Sequence, residues 1–163
     1  MRRKDKEIVS IDEKLEIIAK CKVCRLGLSE NNYPYIVPLN YGFSYDDGNL
    51  TLYFHCALYG KKIDIIRKNN NACFEIDCDT QLIEGEIPCH YGYGFKSVIG
   101  FGKVTILDTV DEKIAGLNYL MKQQTGNDVK YDFNEDELDC VLVFKMLVDE
   151  FTGKQKVLRM DYL

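Results

Sequence analysis

The chain has 163 residues, of which 46% are apolar and 29% charged, with a formal net charge of −5. That length and balance suit one globular domain spanning residues 1–163, and a net acidic surface repels nucleic acid and anionic lipid. The longest apolar runs fall far short of the roughly 20 residues that cross a bilayer. Neither nucleic acid nor membrane is therefore an expected partner.

The N-terminal "MRRKDKEIVS" is basic but has no apolar core behind it, so it does not read as a secretory signal. Ser10 and Glu13 have capping-box spacing, and Ile11, Leu15, Ile18 and Ala19 follow at helical intervals. They predict a first helix over 11–21. "CKVC" (Cys21 to Cys24) then has the spacing of a redox or zinc pair, at a helix-to-strand junction. No second C-x-x-C exists to complete four zinc ligands, and Cys89–His90 is the only other Cys/His neighbour pair. No metal site is expected. Seven scattered cysteines, an odd number, point to reduced thiols in a cytoplasm, most of them serving as small buried hydrophobes.

Val23 to Ser29 alternates as a strand and ends in the turn "ENN". Tyr33 to Phe43 is rich in aromatic and β-branched residues, and Pro34 and Pro38 confine it to an edge, a bulge or a bend. Asp47-Gly48 signals a hairpin with a return strand from Leu50 to Cys56. Lys61 to Lys68 reads as a short helix with Ile63, Ile66 and Ile65 as inward candidates, and Ala72 to Cys78 as a strand. Residues 79–96 read as irregular, around "HYGYGFK". Ser97 to Leu107 is a long strand in which Gly100 and Gly102 allow bulges. Asp108 to Gly126 is the longest helix, with Gly126 suited to its C-terminal cap. Asp139 to Gln155 is an apolar strand followed by a turn at Thr152-Gly153-Lys154. Six or seven hairpin-linked strands with three helices predict a small antiparallel β-barrel in a mainly β, α+β domain. Helices do not alternate with strands, and neither a G-x-G-x-x-G nor a P-loop is present, which disfavours a doubly wound parallel sheet.

The stretch "LYFHCALYGKKID" (Leu52 to Asp64) places His55, Lys61 and Lys62 between a strand end and a helix start. A glycine before a helix lets a ligand approach the backbone, and the unpaired amides of the first turn attract anions. Arg25 adds a planar fork suited to phosphate, and an arginine on an apolar strand needs a partner. Taken singly, these are a solvated helix start, an outward arginine and a core histidine. Taken together they suggest a phosphate site. The rigid edge "IVPLNYG" offers carbonyls to a flat heterocycle, so a nucleotide-like cofactor is expected.

"CRLGL" (Cys24 to Leu28), "PYIVPLNYGF" (Pro34 to Phe43), "LYFHCALYGKKID", "CFEID" (Cys73 to Asp77), "YGFKSVIGFGKV" (Tyr93 to Val104) and "TGK" (Thr152 to Lys154) occur in order over almost the whole chain. In these segments the chain resembles the nitroimidazole resistance (Nim) proteins of the pyridoxamine 5′-phosphate oxidase-like, FMN-binding split-barrel superfamily. The resemblance implies a split β-barrel that binds FMN, with Arg25, Leu26, Gly27, Lys61 and Lys62 at the phosphate. It implies Val37, Pro38, Leu39, Asn40 and Tyr41 along the isoalloxazine ring, and His55 near the flavin as proton donor, substrate clamp or rim residue. It further implies a homodimer with FMN at the subunit interface, to which the partner contributes the segment from Tyr93 to Ser97. The implied activity is FMN-dependent reduction of a nitroaromatic or other small aromatic acceptor, with a nicotinamide nucleotide as a candidate donor. A non-catalytic flavin carrier or sensor, or a haem-binding relative using His55 or His90, are the alternatives. The run "HYGYG" after Cys89 departs from the bulkier, more polar run of those proteins and alters the expected substrate pocket.

Overall fold

In the computed structural model, which describes residues 3–156, the Ser10 hydroxyl accepts a hydrogen bond from the Glu13 amide at 3.4 Å and starts helix α1 (Ile11–Lys20). A short strand β1 (Glu7–Ile8) precedes it. Beyond α1 come β2 (Val23–Glu30), β3 (Tyr33–Asn40), β4 (Gly42–Asp46) and β5 (Asn49–Cys56). They are followed by α2 (Lys61–Lys68), β6 (Asn71–Ile83), β7 (Gly92–Ile106), α3 (Val110–Thr125), α4 (Glu135–Asp139) and β8 (Leu142–Lys156). The strands pair antiparallel in the order β3-β2-β6-β7-β8-β5-β4, with β1 added to β8. This open, curled sheet is a split barrel.

Alternation puts Leu26, Phe54, Phe74, Ile76, Val98, Phe144 and Met146 on the inner face, all fully buried. Phe54 and Phe144 stack with ring centroids 5.1 Å apart. Helix α2 drives Ile63, Ile65 and Ile66 into the same core. Burying each such side chain contributes roughly 1.5–3 kcal/mol, enough to fix α2 against the sheet. A second, smaller core forms outside the barrel, where Leu117 of α3 and Leu138 of α4 meet Leu107 and Val143. Among the described residues no helix is long and apolar enough to cross a membrane.

The prolines place β3 at the end of the sheet, as their missing amides require. Three expectations need correction. There are eight strands and four α-helices rather than six or seven and three. The irregular segment is shorter than 79–96, because β6 runs on to Ile83 and β7 begins at Gly92; a bulge between Cys78 and Gln81 absorbs the change of register. Thr152 to Lys154 make no turn but pair with Ile99, Val98 and Ser97 of β7. Gly153 belongs in the strand because a Cβ there would lie 2.9 Å from the Cβ of Ile8, where β1 and α1 close over it. Helix α4 is opened by a full capping box between Asn134 and Glu137.

Candidate functional site

The end of β5 and the start of α2 are joined by a short loop closing on Gly60, whose φ of +145° suits glycine and not L side chains. A Cβ at Gly60 would meet nothing within 4 Å, so open space lies before the helix. Serine, threonine and asparagine side chains cap α1, α3 and α4. No side chain caps α2. The Ile63 amide donates to the Gly60 carbonyl at 2.9 Å, so the amides of Lys61 and Lys62 are the ones left to solvent or a ligand, with the positive end of the helix dipole behind them. Lys61 and Lys62 occupy the first two helical positions, and neither takes part in a salt bridge among the described residues. The Lys61 ammonium lies 5.3 Å from the centre of the Tyr35 ring. These donors and charges fit a phosphate monoester.

Arg25 stands elsewhere. Its Nη1 donates to Glu75 at 3.0 Å and to Asp77 at 2.5 Å on the neighbouring β6. Arg25 lies on the outward row of β2, whereas Leu28 and its register partner Tyr35 lie toward the core, beneath Lys61. Arg25 and Lys61 thus occupy opposite faces of the β2–β3 pair. In this chain the guanidinium is engaged by two carboxylates and is not brought beside Lys61 and Lys62. The alternation of "CFEIDC" carries both Glu75 and Asp77 to one face, a signal that reading Arg25 alone misses.

Along the predicted ring-lining edge, Val37 and Leu39 are half-buried against the core while Pro38 and Asn40 face out. As the end strand, β3 keeps one row of backbone groups outside the sheet ladder, available to a hydrogen-bonding heterocycle. Asn40 Nδ2 donates to the Lys22 carbonyl at 3.1 Å and to Gln124 Oε1 at 3.2 Å. Leu26 and Tyr41 are wholly buried, and the Tyr41 hydroxyl donates to the Ile18 carbonyl at 2.5 Å. Their side chains reach no surface in this chain. Only their backbones remain available. Gly27 is on the outward row beside Cys73.

His55 projects from the outer face of β5, opposite Val143 of β8. Its ring is exposed, yet enough protein surrounds it that desolvation lowers its pKa and favours the neutral imidazole at pH 7. Ser97 lies opposite Asp77 on one side and Lys154 on the other, and Tyr93 is exposed opposite Leu82. Val143 and Lys154 are eleven positions apart on β8, about 36 Å along an extended strand at about 3.3 Å per residue. The chain therefore brings Lys61, Lys62 and the β5 end together through one short loop. It places Tyr93 and Ser97 at the far end of the sheet from His55.

The sequence matches the family model described as pyridoxamine 5′-phosphate oxidase over residues 10–155. No curated protein matches it. Among solved structures, a candidate 5-nitroimidazole antibiotic resistance protein from Bacteroides thetaiotaomicron is 28% identical, with a TM-score of 0.79 over 91% of this chain and 86% of that one. The FAD and heme binding protein from Mycobacterium smegmatis superposes with a TM-score of 0.80 at 15% identity, over 97% of this chain and 77% of that one. A flavocytochrome from Azotobacter vinelandii gives 0.78 at 14% identity, over 99% and 75%. The latter two share the fold alone.

Proposed function

Because the chain belongs to the pyridoxamine 5′-phosphate oxidase family, we propose that it is a homodimeric, FMN-dependent reductase of nitroaromatic or other small aromatic compounds, acting in the cytoplasm. The observation that carries this reading is the uncapped start of α2, where Gly60, Lys61 and Lys62 offer amides and two cations to open space. One such cluster suits the single phosphate of FMN better than the diphosphate of FAD. The edge from Val37 to Leu39 supplies backbone groups to the ring, and the positive charge of α2 favours an anionic cofactor. When bound, a flavin supplies reversible two-electron chemistry between a nicotinamide donor and such an acceptor. His55, held neutral at pH 7, donates a ring N–H hydrogen bond that clamps the acceptor, and it serves as proton donor only in the fraction that is protonated, which desolvation keeps small. The resistance protein from Bacteroides thetaiotaomicron makes 5-nitroimidazoles the first acceptors to try.

The separation along β8 supports a dimeric reading. A second copy can carry its Tyr93 and Ser97 to the His55 end of the first, which one chain alone does not do. The test is the absorption spectrum of the purified protein, identification of the chromophore released on denaturation, and steady-state turnover with a nicotinamide donor and a nitroimidazole. FMN with turnover supports the reading. FMN without turnover on any acceptor makes the protein a flavin carrier, and a Soret band makes it a haem protein.

A further inference from the structure

Cys21 and Cys78 lie far apart in the chain but in contact in the fold. Cys21 follows α1 directly, and its thiol donates to the Asp77 carbonyl at 3.3 Å. Asp77 directly precedes Cys78 on β6, and the Lys20–Asp79 ion pair closes over Cys78 from its other side, so the Cys21 thiol and Cys78 are neighbours. Cys21 is held from behind. The Cys21 amide donates to Ile17 at 3.2 Å, and its carbonyl accepts from the buried Gln123 at 2.6 Å. Cys78 is registered with Lys96 of β7, and immediately after it the β6 ladder breaks into the bulge where Asp79 takes a φ of 55°. One sulfur is thus rigidly placed. The other sits at the lip of a bulge that gives its strand room to adjust. Lys20, paired with Asp79, flanks them.

We propose that Cys21 and Cys78 form a reversible disulfide on exposure to peroxide, a modification that ties the end of α1 to β6. Cys78 is the less buried of the two and reacts first. Its sulfur attacks one peroxide oxygen, the O–O bond breaks, and water leaves a sulfenic acid behind. Cys21 sulfur then attacks the sulfenic sulfur, the S–S bond forms, the S–O bond breaks and a second water departs. Two thiols lose two electrons and two protons, and one peroxide takes up both. Burial pushes Cys21 up to about 12 and Cys78 also upward, the latter opposed by Lys20, so the reaction is slow and starts from Cys78.

The other cysteines are placed differently. Cys24 is buried on the inner face of β2, and Cys73 lies on the outward row of β6 opposite Gly27. Cys89 and Cys140 are exposed. The spacing of Cys21 and Cys24 therefore misleads: the partner of Cys21 comes from β6.

The experiment treats the full-length protein with excess hydrogen peroxide, alkylates it under denaturing conditions and maps the peptides by mass spectrometry. The expected result is that Cys21 and Cys78 leave the alkylated set together and reappear as a linked peptide pair about 2 Da lighter than the sum of the two reduced peptides, whatever the exposed Cys89 and Cys140 do. Dithiothreitol should return both Cys21 and Cys78 to the alkylated set. The oxidised protein should also melt at a higher temperature than the reduced one, independently of protein concentration. In Cys21→Ser, Cys78 should stop at the sulfenic acid and become trappable by dimedone. An intact protein showing no linked pair, or one linked between other cysteines or between chains, overturns the proposal. Because the readout in the unsubstituted protein is a mass map, neither the flavin nor the folding of a variant decides it.

Discussion

Arg25 and Glu75 are register partners across the β2–β6 pair, and the guanidinium that joins them also reaches Asp77. The Glu75 carboxyl is held above its usual range by burial and by Asp77, with Arg25 pulling it down. This outward triad is a surface network. It ties β2 to β6 across the sheet.

Arg25→Ala should therefore leave two carboxylates facing each other. Losing the arginine raises the folded-state pKa of Glu75 further above its unfolded value, so the folded state binds the extra proton. Stability of the variant must then fall as pH rises through that window and recover as Glu75 is protonated. Arg25 is half-exposed, so the cost at pH 8 should be only about 0.5–1 kcal/mol. Urea melts at pH 5 and pH 8 check this, with the larger deficit expected at pH 8. An equal deficit at both would mean that the triad is not titrating.

Gly42→Ala should be much more damaging. A Cβ at Gly42 would lie 2.2 Å from the Tyr119 carbonyl carbon and 2.3 Å from the Leu120 amide nitrogen. These are backbone atoms of α3, and no flexible side chain can give way. The helix must move off β4, disturbing the stack of Tyr53 on Tyr119 with its centroids 4.7 Å apart. Overpacking of this kind costs roughly 1–3 kcal/mol or more, which thermal denaturation should report as a clear drop in Tm.

Much of this fold could be read locally. Ser10 caps α1, Asp47-Gly48 turns the hairpin with both residues at positive φ, and Gly126 closes α3 in the left-handed region. Such signals act within a few residues. Those that misled act across the sheet: Gly153 is read as a turn until Ile8 is seen packed over it, and residues 79–83 seem irregular because a bulge breaks their alternation. The capping box of α4 is local too, written in Asn134 and Glu137. At the candidate site, Gly60, Lys61 and Lys62 were legible as a helix start open to an anion. The face occupied by Arg25 was not, since its carboxylates arrive from fifty positions away.

His55 should influence both stability and turnover. Desolvation lowers its folded-state pKa below the ordinary 6.5, so below that pH the unfolded chain binds a proton that the folded one resists. Stability should fall as pH drops from about 6.5 and level off below the folded pKa. His55→Gln should flatten that slope. At saturating flavin the same variant should lower acceptor turnover while leaving flavin affinity within about threefold of the unsubstituted protein, under about 0.7 kcal/mol. Unchanged turnover on every acceptor would reduce the histidine to a residue of the barrel rim.

The account turns on the phosphate lying at the start of α2, and equilibrium titration of FMN into three proteins tests it most directly. A hydrogen bond to a charged group contributes about 1.5–3 kcal/mol, less where the ammonium is partly solvated. The double variant Lys61→Ala/Lys62→Ala should thus bind FMN about tenfold to a hundredfold more weakly than the unsubstituted chain. Arg25→Ala should bind it within about threefold. Adding phosphate should compete with FMN only where the lysines are intact. If the double variant binds FMN as tightly as the unsubstituted protein, or if Arg25→Ala loses affinity while the lysine variant does not, the phosphate is held elsewhere and the proposed site is wrong.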